Sequence, residues 1–349
     1  MSGGMEPRRA DLVLEGGGVK GIGLAGAVAT LARSGYTFPR VAGSSAGAVV
    51  AAFVAALQRA GEPLERLEDV ARSLDYRRLR DRGAIGRLAG PLSRFVDGFS
   101  LAFDGGVFEG DYLRRWLEGS LADLGVRTFG DLRVADTEAS PAPRGQYSLV
   151  VTASDVSRRR LVRLPWDYGE YNLDPDEQEV ADAVRASASI PFFFEPITLR
   201  SRAPGGETLV STMVDGGVLS NFPVALFDRT DARPPRWPTF GVRLTTRPAS
   251  PPVTRPVEGP LAIGLAALDT LLTDQGSSYL EDPCTVSRTV FVPTAGVSIV
   301  DFDIDRATQE RLHRAGREAA ERFLSTWDVA AHVRDCRRAA GATAPRRLS

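Results

Sequence analysis

The chain has 349 residues, a formal net charge of −1, 43% hydrophobic residues and 25% charged residues. These values are typical of a globular protein with a real core, and the absence of a basic excess argues against nucleic-acid binding. Cys284 and Cys336 are too few for a disulfide framework, which indicates an intracellular or redox-indifferent protein.

No segment has the pattern of a signal peptide or of a transmembrane helix. The most apolar stretch, Val41 to Leu57, opens with glycines and serines and is therefore predicted to be buried in the core. We expect a cytoplasmic protein that reaches a membrane, if at all, by a peripheral contact.

The beginning of the chain alternates strands and helices. Residues 1–10 are predicted to be a flexible N-terminus, followed by a strand at Asp11–Leu14 and a small-residue helix at Gly21–Ser34. A second strand ends at Ser44, and Ala46–Ala60 is apolar enough to be a buried helix. This alternation predicts an α/β fold with a mainly parallel central sheet flanked by helices.

A mostly helical region is expected at about residues 62–125. It contains a charged amphipathic segment, a row of Leu and Phe between Gly86 and Phe103, and an amphipathic helix at Gly110–Leu124. The Leu and Phe row is expected to pack as core, and its alternative roles are lining an acyl channel or touching a bilayer.

The rest of the chain adds further strands and helices. We predict strands at Gln146–Asp155, Arg159–Pro165, Thr208–Asp215, Thr239–Leu244 and Thr289–Val292, and helices at Glu177–Ser189, Pro260 to about Asp274, and Asp305–Phe323. Residues 11–336 are predicted to form a single α/β domain, and residues 337–349 are predicted to be a disordered tail.

The first strand is followed by "EGGGVKG", whose glycines allow two interpretations. The spacing G-x-G-x-x-G from Gly16 to Gly21 is that of a dinucleotide-binding loop. That interpretation needs an acidic residue about 20 positions later, and no Asp or Glu occurs between Gly16 and Gly61, although Arg40 could hold a 2′-phosphate. The alternative is that the backbone N–H groups of the loop bind the oxyanion of an ester intermediate.

The second strand is followed by "GSSAG", which has the spacing G-x-S-x-G around Ser45. This spacing is typical of a nucleophile on a tight strand-to-helix turn. Because consecutive strands of a βαβ unit end at the same edge of a sheet, both glycine turns are expected to lie side by side. Together they favour a hydrolase over a dinucleotide-binding oxidoreductase.

A serine nucleophile needs a base, and neither histidine suits this role. His313 lies in a charged helical pattern and is expected to be a solvated surface residue, and His332 lies near the C-terminus. Asp215, by contrast, leaves an apolar strand at a turn formed with Gly216 and Gly217. An Asp-Gly turn is by itself unremarkable, but beside the other two motifs Asp215 is the better candidate base.

The three motifs "EGGGVKG", "GSSAG" and "DGG", in this order, resemble the signatures of patatin-like phospholipases. The segments "VFEGDYLRRWLE", "VTASD", "ASASIPFFFEP" and "SNFPV" add weaker similarity, so the resemblance covers about residues 11–224. It implies a three-layer fold with a helical cap region. It also implies a Ser45–Asp215 dyad and an oxyanion hole formed by the N–H groups of Gly17 and Gly18, helped by Ala46.

The same resemblance assigns supporting roles to other motif residues: Gly16, Lys20, Gly21, Gly43, Gly47, Gly216 and Gly217. Lys20, the only lysine, occupies the basic position of the glycine loop, and its uniqueness fits either genome composition or a need for an ammonium group. No cofactor or metal is implied. The expected substrate is an acyl ester of a phospholipid, lysophospholipid or neutral lipid; the alternative is a lipid-binding or scaffolding protein without turnover.

Overall fold

The protein is described from a computed structural model, which covers residues 8–80, 110–134, 146–203, 205–229, 235–244, 282–294, 296–334 and 336, with a few positions between 257 and 271. The Leu and Phe row of residues 86–103, most of the segment predicted as a helix at 260–274, and the tail at 337–349 lie outside the described residues.

An eight-stranded sheet forms the centre of the fold. Its strands are β2 (Asp11–Leu14), β4 (Val41–Ser44), β5 (Leu149–Asp155), β6 (Arg160–Leu164), β7 (Ile197–Arg202), β8 (Thr208–Asp215), β9 (Thr239–Arg243) and β10 (Thr289–Phe291). Their order is β10-β9-β2-β4-β5-β8-β7, and β6 also pairs with β5, along the edge that β4 and β8 leave open. β10, β9, β2, β4 and β5 are parallel to one another, whereas β6, β7 and β8 are antiparallel to their neighbours. The predicted α/β fold with a mainly parallel sheet is confirmed.

Helices cover the sheet, and the two most apolar ones are largely buried. They are α1 (Gly21–Arg33), α2 (Ala46–Ala60), α3 (Leu67–Ser73), α4 (Asp111–Ala122), α5 (Val180–Ser187), α6 (Pro283–Ser287) and α7 (Arg306–Thr326). α1 and α2 consist largely of small apolar residues, so they can pack closely against the sheet and against each other. None of the described helices is long and apolar enough to cross a bilayer.

Helix α7 crosses α1 at short range because glycines face the contact on both sides. A Cβ on Gly26 would collide with the carbonyl of His313, and a Cβ on Gly316 would collide with the carbonyl of Gly23. Leu312 and Ala320 of α7 are buried at this contact. The close crossing brings the first turns of α7 beside the beginning of α1, which directly follows the glycine loop.

Two expectations from the sequence need correction. Arg8 and Arg9, expected within a flexible N-terminus, form a short strand (β1) that pairs in parallel with β3, Tyr36–Thr37. Cys284 and Cys336, which are too few for a framework, are nevertheless joined in one disulfide that links α6 to the C-terminal end of the described chain. Neither pairing has a local sequence pattern, since each depends on segments far apart in the chain.

Candidate active site

Ser45 sits on a sharp turn between β4 and α2. Its backbone has φ 51° and ψ −123°, a conformation that a non-glycine residue rarely adopts. The flanking glycines are required sterically. A Cβ on Gly43 would strike the Gly47 backbone, and a Cβ on Gly47 would strike the carbonyls of Leu14 and Glu15. The turn thus holds the Ser45 hydroxyl beyond the end of the sheet.

The pairing register explains how Asp215 reaches Ser45. β6 occupies one edge of β5, so β4 and β8 share the other edge, where Ser44 pairs with Thr152 and Asp215 with Ala153. β4 and β8 run in opposite directions, and their carboxyl ends therefore meet head to head. The Ser45 hydroxyl donates a hydrogen bond of 2.6 Å to Asp215 Oδ2.

The Asp215 carboxylate is fully buried, and this burial raises its pKa from the ordinary value of 3.8 to about 7. The hydrogen bonds from the Ser45 hydroxyl and from the Gly217 N–H, which is 2.7 Å from Oδ1, oppose the shift without cancelling it. Two donors hold the carboxylate in place while desolvation makes it more basic. A Cβ on Gly216 would collide with the Thr152 carbonyl, so this turn needs its glycine.

Burial of Asp215 predicts that Asp215→Asn stabilises the fold at neutral and alkaline pH. A carboxyl whose folded pKa is raised contributes stability below its unfolded pKa and loses that contribution as pH rises through the folded value, here about 7. The near-isosteric amide avoids this loss, which corresponds to as much as about 4 kcal/mol at about pH 8. Urea unfolding should show that Asp215→Asn increases the free energy of unfolding, relative to wild type, more at about pH 8 than at about pH 5. An equal increase at both pH values would contradict the raised pKa.

The glycine loop lies beside the Ser45 turn. Gly18 has φ +54°, and a Cβ there would collide with the carbonyl of Ile299, whereas a Cβ on Gly17 would meet the Leu244 side chain at 2.5 Å. A Cβ on Gly21 would come within 2.9 Å of the Ala46 Cβ, so the loop and the start of α2 are in close contact. Within the described part of the chain, the N–H groups of Gly17, Gly18 and Ala46 donate no hydrogen bond.

Three buried contacts that hold these turns were not predicted from the sequence. The Asn221 backbone carbonyl accepts from the Gly16 N–H at 3.1 Å, and the Asn221 amide donates to the Gly16 carbonyl at 3.2 Å. Ser187 Oγ, at the end of α5, accepts from the Ser45 N–H at 2.8 Å. Neither residue stands out in the sequence, although Asn221 lies in the "SNFPV" segment.

The third contact joins the base of the glycine loop to β9. The buried Glu15 carboxylate accepts from Arg243 Nε at 3.0 Å and from the Leu244 N–H at 2.5 Å. Burial raises the Glu15 pKa to about 7, while the positive charges of Arg243 and Lys20 oppose that shift. Glu15 therefore fixes the loop to the sheet, a role that its position before the glycines did not reveal.

Asn221→Ala is expected to lower kcat about tenfold, because the Gly16 carbonyl loses its partner and the glycine loop loses a clamp. An unsatisfied buried carbonyl also costs about 1–3 kcal/mol of stability. The matched control is Asn172→Ala, which removes a similar amide-to-carbonyl bond, to Arg202, at an exposed position. Steady-state kinetics should separate the two variants, and equal kcat values would show that Asn221 does not position the loop.

An apolar pocket opens at Ser45. Gly18, Ser45 and Ala46 line it, together with residues of α3 and α4. The remaining lining is almost entirely hydrophobic and includes Ile22, Val49, Val50, Phe53, Leu67, Val70, Leu74, Leu113, Trp116, Ile190, Phe194 and Phe302. The described parts of the predicted helical region, residues 64–80 and 111–122, therefore form part of this lining. Such a lining suits a hydrocarbon chain.

Neither histidine lines this pocket. His313 is more buried than predicted, with 19% of its side chain exposed, and its Nε2 is 4.0 Å from Glu68 Oε2. Burial lowers the pKa of His313, and the negative charge of Glu68 offsets part of this shift. His332 contacts Ser287 and the disulfide-bonded Cys336.

The dinucleotide interpretation fails at Arg40. Its guanidinium is buried in an ion pair with Asp11, at the amino end of the strands, whereas the glycine loop lies at the carboxyl end of β2. Arg40 therefore cannot hold a 2′-phosphate bound at that loop. Among the described residues, no three His, Cys, Asp or Glu side chains are grouped so as to hold a metal ion.

Comparison with known proteins identifies the class. The family model for patatin-like phospholipases matches residues 12–228, which include the glycine loop, Ser45 and Asp215. The chain belongs to this family and, at the level of the family, is a lipid hydrolase.

Three individual proteins are similar to the chain in sequence or in fold. The protein YqhO of Bacillus subtilis (strain 168), described as uncharacterized, is 33% identical over 317 residues, covering 91% of this chain and 98% of its own. The crystal structure of VipD from Legionella pneumophila superposes with a TM-score of 0.50 at 18% identity, covering 92% of this chain and 67% of VipD. The effector ExoU of Pseudomonas aeruginosa gives a TM-score of 0.44 at 18% identity, over 91% of this chain and 53% of ExoU. The chain thus spans about half of ExoU, and the VipD likeness concerns the fold alone.

Proposed function

We propose that Ser45 and Asp215 form a catalytic dyad that hydrolyses carboxylic esters of acyl lipids. The observation that carries this proposal is the 2.6 Å hydrogen bond from Ser45 Oγ to the buried Asp215 carboxylate, at the opening of an apolar pocket. A pKa of about 7 suits Asp215 to a general base, since a base works best when its pKa is near the working pH.

In the first half of the reaction, Asp215 Oδ2 accepts the Ser45 proton as Ser45 Oγ attacks the ester carbonyl. The carbonyl oxygen becomes an oxyanion, which the N–H groups of Gly17 and Gly18 stabilise, with Ala46 as a third donor. The tetrahedral intermediate collapses by breaking the bond to the alcohol oxygen. Asp215 returns its proton to that oxygen, and the acyl group stays on Ser45.

In the second half, a water molecule takes the place of the alcohol. Asp215 accepts a proton from the water as the water oxygen attacks the acyl carbonyl, and the same N–H groups stabilise the second oxyanion. Collapse breaks the bond to Ser45 Oγ, which recovers the proton from Asp215. The fatty acid leaves, and the dyad is restored without a net change of charge.

The substrate class follows from the pocket. Its hydrophobic side chains suit an acyl chain. A chain bound there would bring the ester carbonyl to Ser45 and Gly18, which also line the pocket. The family match adds lipids as the source of that ester. Phospholipids, lysophospholipids and neutral lipids all fit this description, and a peripheral contact with a membrane would supply them from a bilayer.

The test is to incubate wild type and Ser45→Ala with a mixed lipid extract and to identify the products by mass spectrometry. We expect free fatty acids and the matching deacylated lipids from wild type alone. A chromogenic acyl ester run in parallel detects turnover independently of head group. If the folded wild type hydrolyses neither, the protein is a lipid-binding or scaffolding member of the family rather than an enzyme.

A further inference from the structure

A second cavity lies next to the apolar pocket, between α3 and α7. Ile22 and Ala71 line both cavities, so a single layer of side chains separates them. Ile22 follows the glycine loop directly, which places this second cavity close to the Ser45 end of the pocket. We call it the arginine groove, because Arg72, Arg306, Arg314 and Arg317 line it.

The arginine groove carries more positive than negative charge. Arg72 pairs with Glu68 at 2.6 Å, and Arg306 pairs with Glu310 at 3.0 Å, which uses both carboxylates that line the groove. Arg317 has a loose contact of 3.9 Å with Glu321, and within the described residues Arg314 forms no ion pair. Two guanidinium groups are thus left in excess.

The arrangement of these residues is set by the helix. Positions 306, 310, 314 and 317 fall on one face of α7, because residues three and four apart lie above one another. The buried stripe of the same helix, which includes Leu312 and Gly316, faces α1 instead. The three arginines of α7 that line the groove therefore share one face of the helix, beside Arg72 of α3.

We infer that the arginine groove binds the anionic head group of the ester that Ser45 hydrolyses. A guanidinium presents paired N–H donors that match two oxygens of a phosphate. Ile22 and Ala71 line both cavities, so a molecule whose acyl chain occupies the apolar pocket has the groove as the neighbouring cavity for its head group. The favoured substrate is thus an acyl ester whose phosphate keeps a net negative charge. This inference rests on the proposed function.

The test compares monomeric short-chain substrates, so that no bilayer takes part. We would measure kcat/KM for dihexanoyl phosphatidic acid and dihexanoyl phosphatidylcholine, with p-nitrophenyl hexanoate as a neutral ester. Arg314→Gln/Arg317→Gln should lower the ratio of phosphatidic acid to phosphatidylcholine at least tenfold. The control Arg311→Gln/Arg322→Gln removes the same charge from positions of α7 that do not line the groove and should keep the wild-type ratio.

Several outcomes would overturn the inference. One is an equal ratio in both double variants and wild type. Another is a loss confined to phosphatidylglycerol vesicles, which would assign the arginines to attachment to a bilayer. A third is inhibition by inorganic phosphate at constant ionic strength, together with a ratio of phosphatidic acid to phosphatidylcholine that is the same in Arg314→Gln/Arg317→Gln as in wild type. That result would assign the groove to free phosphate. If wild type hydrolysed none of the esters, the proposed function would fail together with the inference.

Discussion

Ser45→Ala and Asp215→Asn are each expected to lower kcat for a soluble acyl ester by about a thousandfold or more, equivalent to about 4 kcal/mol of barrier. Without Ser45 Oγ there is no nucleophile. Without the Asp215 carboxylate, none of the described groups in hydrogen-bond contact with Ser45 Oγ accepts its proton. Because the two act as a unit, Ser45→Ala/Asp215→Asn should be scarcely worse than either single variant.

Ser44→Ala is the matched control for this experiment. Ser44 is the adjacent serine of the same motif and is fully buried, but its Oγ has no hydrogen-bond partner among the described residues. The variant should keep most of the wild-type kcat, as measured by initial rates after circular dichroism confirms folding. An Asp215→Asn enzyme that kept more than about a tenth of wild-type kcat would rule out the dyad.

Gly18→Ala is expected to lower kcat by about a hundredfold, because a Cβ there collides with the Ile299 carbonyl and displaces the loop N–H groups. Loss of one oxyanion donor costs about this much in other hydrolases. The effect should fall on kcat more than on KM, since the N–H groups bind the oxyanion rather than the substrate carbonyl.

Gly61→Ala separates this effect from ordinary backbone strain. Gly61 has φ +70°, close to the +54° of Gly18, but nothing lies within 4 Å of its Cβ position. Its replacement should cost about 1–2 kcal/mol of stability and leave kcat near wild type. If both variants had the same kcat, the glycine loop would not form the oxyanion hole.

The fold class, the family and the three motifs could be predicted from the sequence because each depends on local pattern. Glycine-flanked turns after apolar strands locate the glycine loop, Ser45 and Asp215, and the parallel βαβ unit brings the first two together. The meeting of Ser45 with Asp215 was inferred from the family's motif order. Its physical cause, two strands that end head to head along β5, appears only in the pairing register.

The supporting contacts could not be predicted, because they join residues that are distant in sequence. Asn221 reaches Gly16 across 205 positions, and Glu15 reaches Arg243 across 228. The burial of His313 has a similar origin, since the charged pattern of α7 does not reveal how closely Gly316 lets that helix approach α1. The role of the Leu and Phe row at residues 86–103 stays a prediction.

The most direct test of the central claim, that Asp215 and no histidine activates Ser45, is the pH profile of His313→Ala/His332→Ala. On a neutral soluble ester this variant should keep most of the wild-type kcat/KM. Its acidic limb should remain centred near the pKa of about 7 that burial gives Asp215. A variant that folds, as shown by circular dichroism, but has lost its activity or its acidic limb would contradict the account and make a histidine the base.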